Sequence, residues 1–301
     1  MSTTREMSDP TDIPDRDSLQ PGPTALRILV GAQLRRLRKS RKISREKAGY
    51  TIRGSHSKIS RMEGGRCGFK LRDVADLLTL YGVADDTERQ ALLVLAEQAN
   101  APGWWQDYRD VIPDWFEAYL GLEQDAALIR THEIQFVPGL LQTEDYARAV
   151  VAQGHKDEPA ELIEHRVELR MRRQSILSEP ATHKVWAILD EAALHRRVGG
   201  ATVMRDQLRH LAERAELPHV TVQVVPFGSD SVAGGVGPVT ILRFAQAELD
   251  DVVYLEHLAG AQYLTKDSEV RPYQHLMNEL SVQAPPPSET PEILRQIMAA
   301  M

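Results

Sequence analysis

Between Ala25 and Val83 apolar residues recur at three- and four-residue steps, and glycines cut the pattern into short lengths. Leu26, Val30, Leu34 and Leu37 form one stripe, with Arg27, Arg35, Arg36 and Arg38 filling other positions. A segment of this kind folds as short helices joined by tight turns. Ser44 offers an N-cap for a helix from Arg45 to about Thr51. Arg53-Gly54 breaks it, and Ser55 caps a further short helix that Gly64-Gly65 ends. Val74, Leu77, Leu78 and Tyr81 mark a fourth helix closed by Gly82, and Thr87 to about Ala99 reads as a fifth.

Charge is segregated along the chain. Residues 1–24 carry net −3, residues 25–83 net +11 and residues 84–301 net −15. Fifteen basic residues stand against four acidic ones in the middle segment, too lopsided for an ordinary solvated helix face. A small basic unit tied to a larger acidic one points to a polyanionic partner, most often nucleic acid. The single cysteine, Cys67, excludes a disulfide-built domain. No run approaches the ~18 apolar residues of a membrane helix. The polar, acidic N-terminus lacks a signal-peptide core, so the chain is expected in the cytoplasm.

The length suits about two domains. Residues 1–24, with four prolines, read as a disordered tail, and 25–100 as the helical basic domain. Pro102-Gly103 opens a larger unit over 101–283. Helices are expected at Trp115–Ala127, Thr143–Gln153, Ala160–Leu177, Thr202–Ala215 and Asp267–Ser281. Short aliphatic runs at Lys184–Leu189, Val220–Pro226, Val239–Phe244, Val252–Leu255 and Gln262–Leu264 read as strands. Residues 284–301 read as a Pro-rich linker over Ala284–Ser288 and a final helix. The fold class is mainly α: a five-helix N-terminal domain, then a larger α+β domain with a small sheet.

Ile43–Glu63 carries the chemistry. Two short helices with a tight turn between them form a helix-turn-helix arrangement. Their close crossing needs small residues, which Ala48 and Gly49 supply. Ile59 and Met62, three apart, face the core. The other face is short, polar and basic: His56, Ser57, Lys58, Ser60 and Arg61. Such a face suits a major groove about 12 Å wide, where Arg61 can grip guanine or a phosphate with two bonds. Ser44 and Ser55 place helix N-termini where a phosphate can sit. Glu63 would be repelled by DNA and is expected to pair with a nearby arginine.

The stretch S-R-E-K-A-G-Y…S-H-S-K-I-S-R-M-E-G-G-R resembles the lambda-repressor-like (XRE) helix-turn-helix. A closer resemblance covers nearly the whole chain. A-P-G-W-W (101–105), Glu133–Ala147 with its P-G-L-L-Q-T-x-x-Y-A element, and P-F-G…G-P-V-T-I-L-R-F are similar to actinobacterial XRE-type regulators. Those carry a large C-terminal domain of poorly defined role and are described as antitoxin-like. The resemblance implies that His56, Ser57, Lys58 and Arg61 read bases, that Arg45, Arg53, Ser55 and Arg66 meet phosphates, and that Ile59, Met62, Val30, Leu34 and Leu77 are core. It also implies a small companion protein bound by the C-terminal domain. This chain departs from the pattern by holding Arg53 at the usual turn glycine.

The resulting reading is a cytoplasmic, sequence-specific regulator that binds double-stranded DNA. One short helix reads few base pairs, so a homodimer on a two-fold site is expected. An antitoxin whose main task is neutralising a partner, and a small-molecule sensor with its ligand between the sheet and Trp104, stay open. No cofactor, metal or membrane is implied, and no enzyme. The histidines lack His-x-x-x-His spacing. Gly234-Gly235-Val236-Gly237 runs into a strand rather than a helix, unlike a phosphate loop. Asp190-Glu191 reads as a helix cap, Cys67 as an inert thiol unless Arg66 lowers its pKa, and Trp104-Trp105 as interdomain packing.

Overall fold

The computed structural model describes residues 21–178, 183–229 and 237–301. Nearly all of the expected disordered tail, and Gly234-Gly235-Val236 of the glycine run, lie outside the described residues. The chain divides into two compact units. One comprises Gln20–Asp107 with Glu117–Asp125, the other Tyr108–Phe116 with Ala126–Met301. The first thus runs past the sequence boundary at 100 and includes nine residues of the next helix.

The first unit holds α1 (Pro23–Ser40), α2 (Arg45–Thr51), α3 (His56–Glu63), α4 (Leu71–Leu80) and α5 (Asp86–Gln98). Val30, Leu34, Ala48, Ile59, Met62, Val74, Leu77 and Leu78 fill one core. The backbones approach closely. A Cβ at Gly31 of α1 would stand 2.4 Å from the Met62 carbonyl oxygen, so α1 and α3 touch there only because position 31 has no side chain. The helix ends share one chemistry. After α1 the amide of Lys42 bonds Lys39 O and that of Ile43 bonds Arg38 O. The same pair of bonds recurs at Arg53 and Gly54 after α2, at Gly65 and Arg66 after α3, and at Gly82 and Val83 after α4. Each is a Schellman stop, which requires one residue in the left-handed region.

Helix α1 has no cap from its own N-cap residue, Gly22. The cap comes from Asp125, the last residue of α6 (Asp114–Asp125), which accepts from Gly22 N at 3.0 Å and Ala25 N at 2.7 Å. Gly121 of the same helix lies so near α1 that a Cβ would fall 1.9 Å from Thr24 Oγ1. Trp105 is buried within this unit, its Nε1 donating to Glu117 Oε1 at 3.3 Å.

The second unit is built on six strands: β1 (Leu128–Glu133), β2 (Lys184–Asp190), β3 (Val220–Val225), β4 (Val239–Arg243), β5 (Val252–His257) and β6 (Gly260–Leu264). Their order is β3-β2-β1-β4-β5-β6. β1, β2 and β3 are parallel, and β4, β5 and β6 continue antiparallel from β1. α7 (Glu144–Gly154) and α8 (Ala160–Arg173) lie between β1 and β2 in the chain, α9 (Glu191–His195) and α10 (Ala201–Arg214) between β2 and β3. α11 (Asp267–Gln283) covers one face, its Val270, Met277 and Leu280 packing with Leu128, Trp186, Ile188, Ile241 and Val253.

The architecture is the expected one: a helix-turn-helix unit, then an α+β unit with a small sheet. Its details add three corrections. β1, a central strand, has no counterpart among the strands expected from the sequence. Its Arg130, Thr131 and His132 are polar, yet all three are buried. The helix expected over Ala160–Leu177 stays α only to Arg173 and tightens to 3-10 over Gln174–Leu177. The Ala284–Ser288 stretch packs within its unit instead of forming an open linker. Ala284 is buried, Gln223 Nε2 donates to Pro285 O at 3.0 Å, and α12 (Thr290–Ala299) is pinned by Thr290 Oγ1 donating to Val222 O at 2.6 Å. Asp190 does cap α9, accepting from Ala192 N at 2.8 Å.

Burial pushes Asp125 up to about 6, against the opposing pull of the Ala25 and Gly22 amides. A carboxyl whose folded pKa is raised favours the folded state below its unfolded pKa, and that advantage is lost as pH rises through about 6. Asp125→Asn removes this titration. Relative to the wild type, the variant is expected to gain roughly 2 kcal/mol of stability between pH 4 and pH 7. Urea denaturation at both pH values measures it, and an unchanged difference would show that Asp125 does not titrate there.

Candidate nucleic-acid interface

α2 and α3 begin with the caps that the sequence announces. Ser44 Oγ accepts from Lys47 N and Ser55 Oγ from Lys58 N, each at 3.2 Å. The turn between them is closed by Gly54 N bonding Gly49 O at 2.8 Å. A Cβ at Gly49 would sit 2.9 Å from Gly54 O, so the small residue in α2 is needed by the turn itself. Arg53 occupies the left-handed position of that turn, with φ of 53°. Lys42 does the same after α1, with φ of 54°. A side chain there costs about 1–2 kcal/mol relative to a right-handed conformation. A cation at a helix C-terminus recovers part of this by facing the negative end of the dipole.

α3 is divided sharply by burial. Ile59, Met62 and Glu63 are buried, whereas Ser55, His56, Ser57 and Arg61 are exposed. Arg53 and Arg66 are exposed beside them, and Arg45 is half-exposed. Two of the expected DNA-contacting cations have ion-pair partners. The Lys58 ammonium pairs with Asp73 of α4, whose side chain is 2% exposed. Arg45 Nε lies 3.3 Å from Glu63 Oε2. Lys58 is therefore tethered across the helix pair instead of extending outward with His56 and Arg61.

Glu63 is the anchor. Arg38 donates to both its oxygens, through Nε to Oε1 and through Nη2 to Oε2 at 2.9 Å. Arg38 Nη1 also donates to Ile43 O at 2.7 Å. The hydrogen bond to Glu63 raises the Arg38 pKa further above its ordinary value. Tyr81 packs near this pair, and burial together with Glu63 pushes its phenol upward. Cys67 is half-buried against the same core. Burial raises its thiol pKa in spite of Arg61, Lys58 and Arg27, opposite to the lowering that a neighbouring arginine suggested.

Sequence reasoning missed Tyr50, an aromatic side chain in the last turn of α2 that is 86% exposed. It also missed Asp73. The signal was present: acids are scarce in the basic segment, and the two buried ones, Glu63 and Asp73, both hold cations.

Residues 29–92, which span α2 to α4 with most of α1 and half of α5, match the family model described as a helix-turn-helix domain. Residues 116–296 match that of a domain of unknown function, DUF5753, which covers more than half of the chain. The chain belongs to the DUF5753 family. No curated protein and no solved structure matches it. In this DUF5753 protein the exposed face of α3 lies on the helix-turn-helix part, and the family domain supplies nearly all of the sheet-containing unit. Among the described residues no His, Cys, Asp and Glu cluster forms a metal site, and no helix is long and apolar enough to cross a membrane.

Two substitutions test the geometry. Glu63→Gln leaves Arg38 buried without its counter-charge and is expected to cost about 3 kcal/mol or more in chemical denaturation. Lys42→Gly relieves a left-handed side chain and is expected to stabilise the fold by about 0.5–1 kcal/mol, after the entropy cost of glycine. Destabilisation by Lys42→Gly would show that the dipole contact outweighs the conformational cost.

Proposed function

We propose that this protein is a sequence-specific regulator of transcription that inserts α3 into the major groove of double-stranded DNA. The observation that carries the reading is the split face of α3, with apolar residues and Glu63 inward and short polar or cationic side chains outward. His56, Ser57 and Arg61 are the base readers. Arg61 presents a guanidinium able to take O6 and N7 of one guanine. Arg53, Ser55 and Arg66 flank the helix and hold phosphates, with Arg45 at the margin of that set. Lys58 differs from the other expected base readers: its bond to Asp73 fixes α3 against α4, and base contact would require giving that up.

α3 has eight residues, about 12 Å of helix, enough for only a few base pairs. Two copies on a two-fold site supply the missing specificity, so the working form is a homodimer. The acidic remainder of the chain, net −15 over 84–301, is kept off DNA by its charge and serves as the regulatory part, with a small companion protein as its partner. The protein acts in the cytoplasm as a regulator rather than an enzyme.

Fluorescence anisotropy on its own promoter fragment and on random DNA, across a salt series, tests this. The wild type is expected to prefer the promoter, with log K falling linearly in log salt. Arg61→Ala is expected to weaken promoter binding by about 10- to 100-fold, leaving random DNA nearly unaffected. Arg66→Ala is expected to weaken both alike and flatten the salt slope by about one. Equal wild-type affinity for both DNAs at every salt concentration would overturn the reading.

A further inference from the structure

The parallel half of the sheet ends at a cleft of about 350 Å³ lined by Gln135, Phe136, Gln153, Arg196, Arg197 and Val198. Gln135 and Phe136 follow the carboxyl end of β1. Arg196, Arg197 and Val198 follow β2 and α9, and Gln153 comes from the end of α7. In open α/β sheets the crevice outside the carboxyl ends of parallel strands is where ligands bind. Here segments that follow the parallel strands β1 and β2 line the cleft together.

Several arginines of this unit meet carboxylates: Arg148 meets Glu144 and Glu164, Arg166 meets Glu158, and Arg243 meets Asp251. Arg196 and Arg197 are exposed, and among the described residues neither guanidinium has a hydrogen bond or ion pair. Two adjacent unpaired cations thus share one concavity within the acidic part of the chain. Their backbone is fixed. Val198 N bonds Arg196 O at 2.7 Å, and Gly200 N bonds Arg197 O at 3.0 Å. Gly199, at φ of 71°, fits only without a side chain, since a Cβ would stand 2.8 Å from Val203 Cγ1.

We propose that this cleft binds a small organic phosphate, such as a sugar or nucleoside monophosphate, as an effector of the protein. Two guanidiniums take the phosphate oxygens in fork geometry. Gln135 and Gln153 offer amides to hydroxyl groups, and Phe136 offers an apolar surface to a ring. The volume lies at the small end of ligand pockets, which suits one phosphate and one ring rather than a dinucleotide. The site differs from the position near Trp104 suggested by the aromatic run, and it does not depend on the DNA-binding reading.

Isothermal titration of the full chain with AMP, ribose 5-phosphate, inorganic phosphate and succinate tests the proposal without DNA. AMP or ribose 5-phosphate is expected to bind one site per chain, at least tenfold tighter than inorganic phosphate or succinate. The Arg196→Ala/Arg197→Ala double variant is expected to lose that binding at least tenfold. Both side chains are exposed, so its melting temperature without ligand should stay near that of the wild type. An Arg196→Lys/Arg197→Lys variant should recover only part of the affinity, because lysine keeps the charge and loses the fork. Succinate binding as tightly as the organic phosphates would overturn the assignment. So would undiminished binding in the double alanine variant, or no saturable binding of any probe.

Discussion

One guanidinium organises the helix-turn-helix unit. Arg38 lies at the end of α1, and its nitrogens reach Glu63 at the end of α3 and the Ile43 carbonyl in the connection to α2. Arg45 of α2 meets the same carboxylate. Three helices are thereby fixed around one buried charge pair. Removing either partner strands the other without solvent, a loss several times larger than that of an exposed ion pair. The pair also determines what α3 shows outside. With Glu63 held inward, its charge is withdrawn from the exposed face of α3, where Arg61 stands beside Arg53 and Arg66.

The helix stops extend this economy. A Schellman ending needs a left-handed residue, and glycine serves at positions 65 and 82. At 42 and 53 the chain places lysine and arginine instead. Each position accepts conformational strain in return for a cation at a helix C-terminus, on a unit whose surface is already basic. Arg53 therefore shapes the turn and projects charge beside α3 with a single side chain.

How far the sequence reveals this depends on the range of the interactions. Helices α1 to α5 are written in local signals, apolar spacing, serine caps and terminal glycines, and those signals sufficed to locate them. β1 was hidden because its polar residues are stabilised by distant ones. Arg130 stacks over the Trp186 ring at 4.5 Å and donates to Asn278, and His132 Nδ1 bonds Ile188 O. None of these partners is near in sequence. The same limit applies at the interface. The exposure of His56, Ser57 and Arg61 follows from the helical period, whereas the engagement of Lys58 depends on Asp73, which the fold alone brings within reach. Pro285–Pro287 looked like a spacer since proline stiffens an open chain, but Gln223 and Thr290 bind that region to the sheet.

The carboxylate that starts α1 belongs to residue 125. The first helix of the DNA-binding unit is therefore completed by a residue made long after it. As the chain leaves the ribosome, the five-helix segment emerges with Gly22 and Ala25 still uncapped and with no Gly121 for Thr24 to pack against. The cap of α1 is completed only when α6 has followed. The basic surface is thus present on the nascent chain before the cap of its first helix, which waits on synthesis past residue 125.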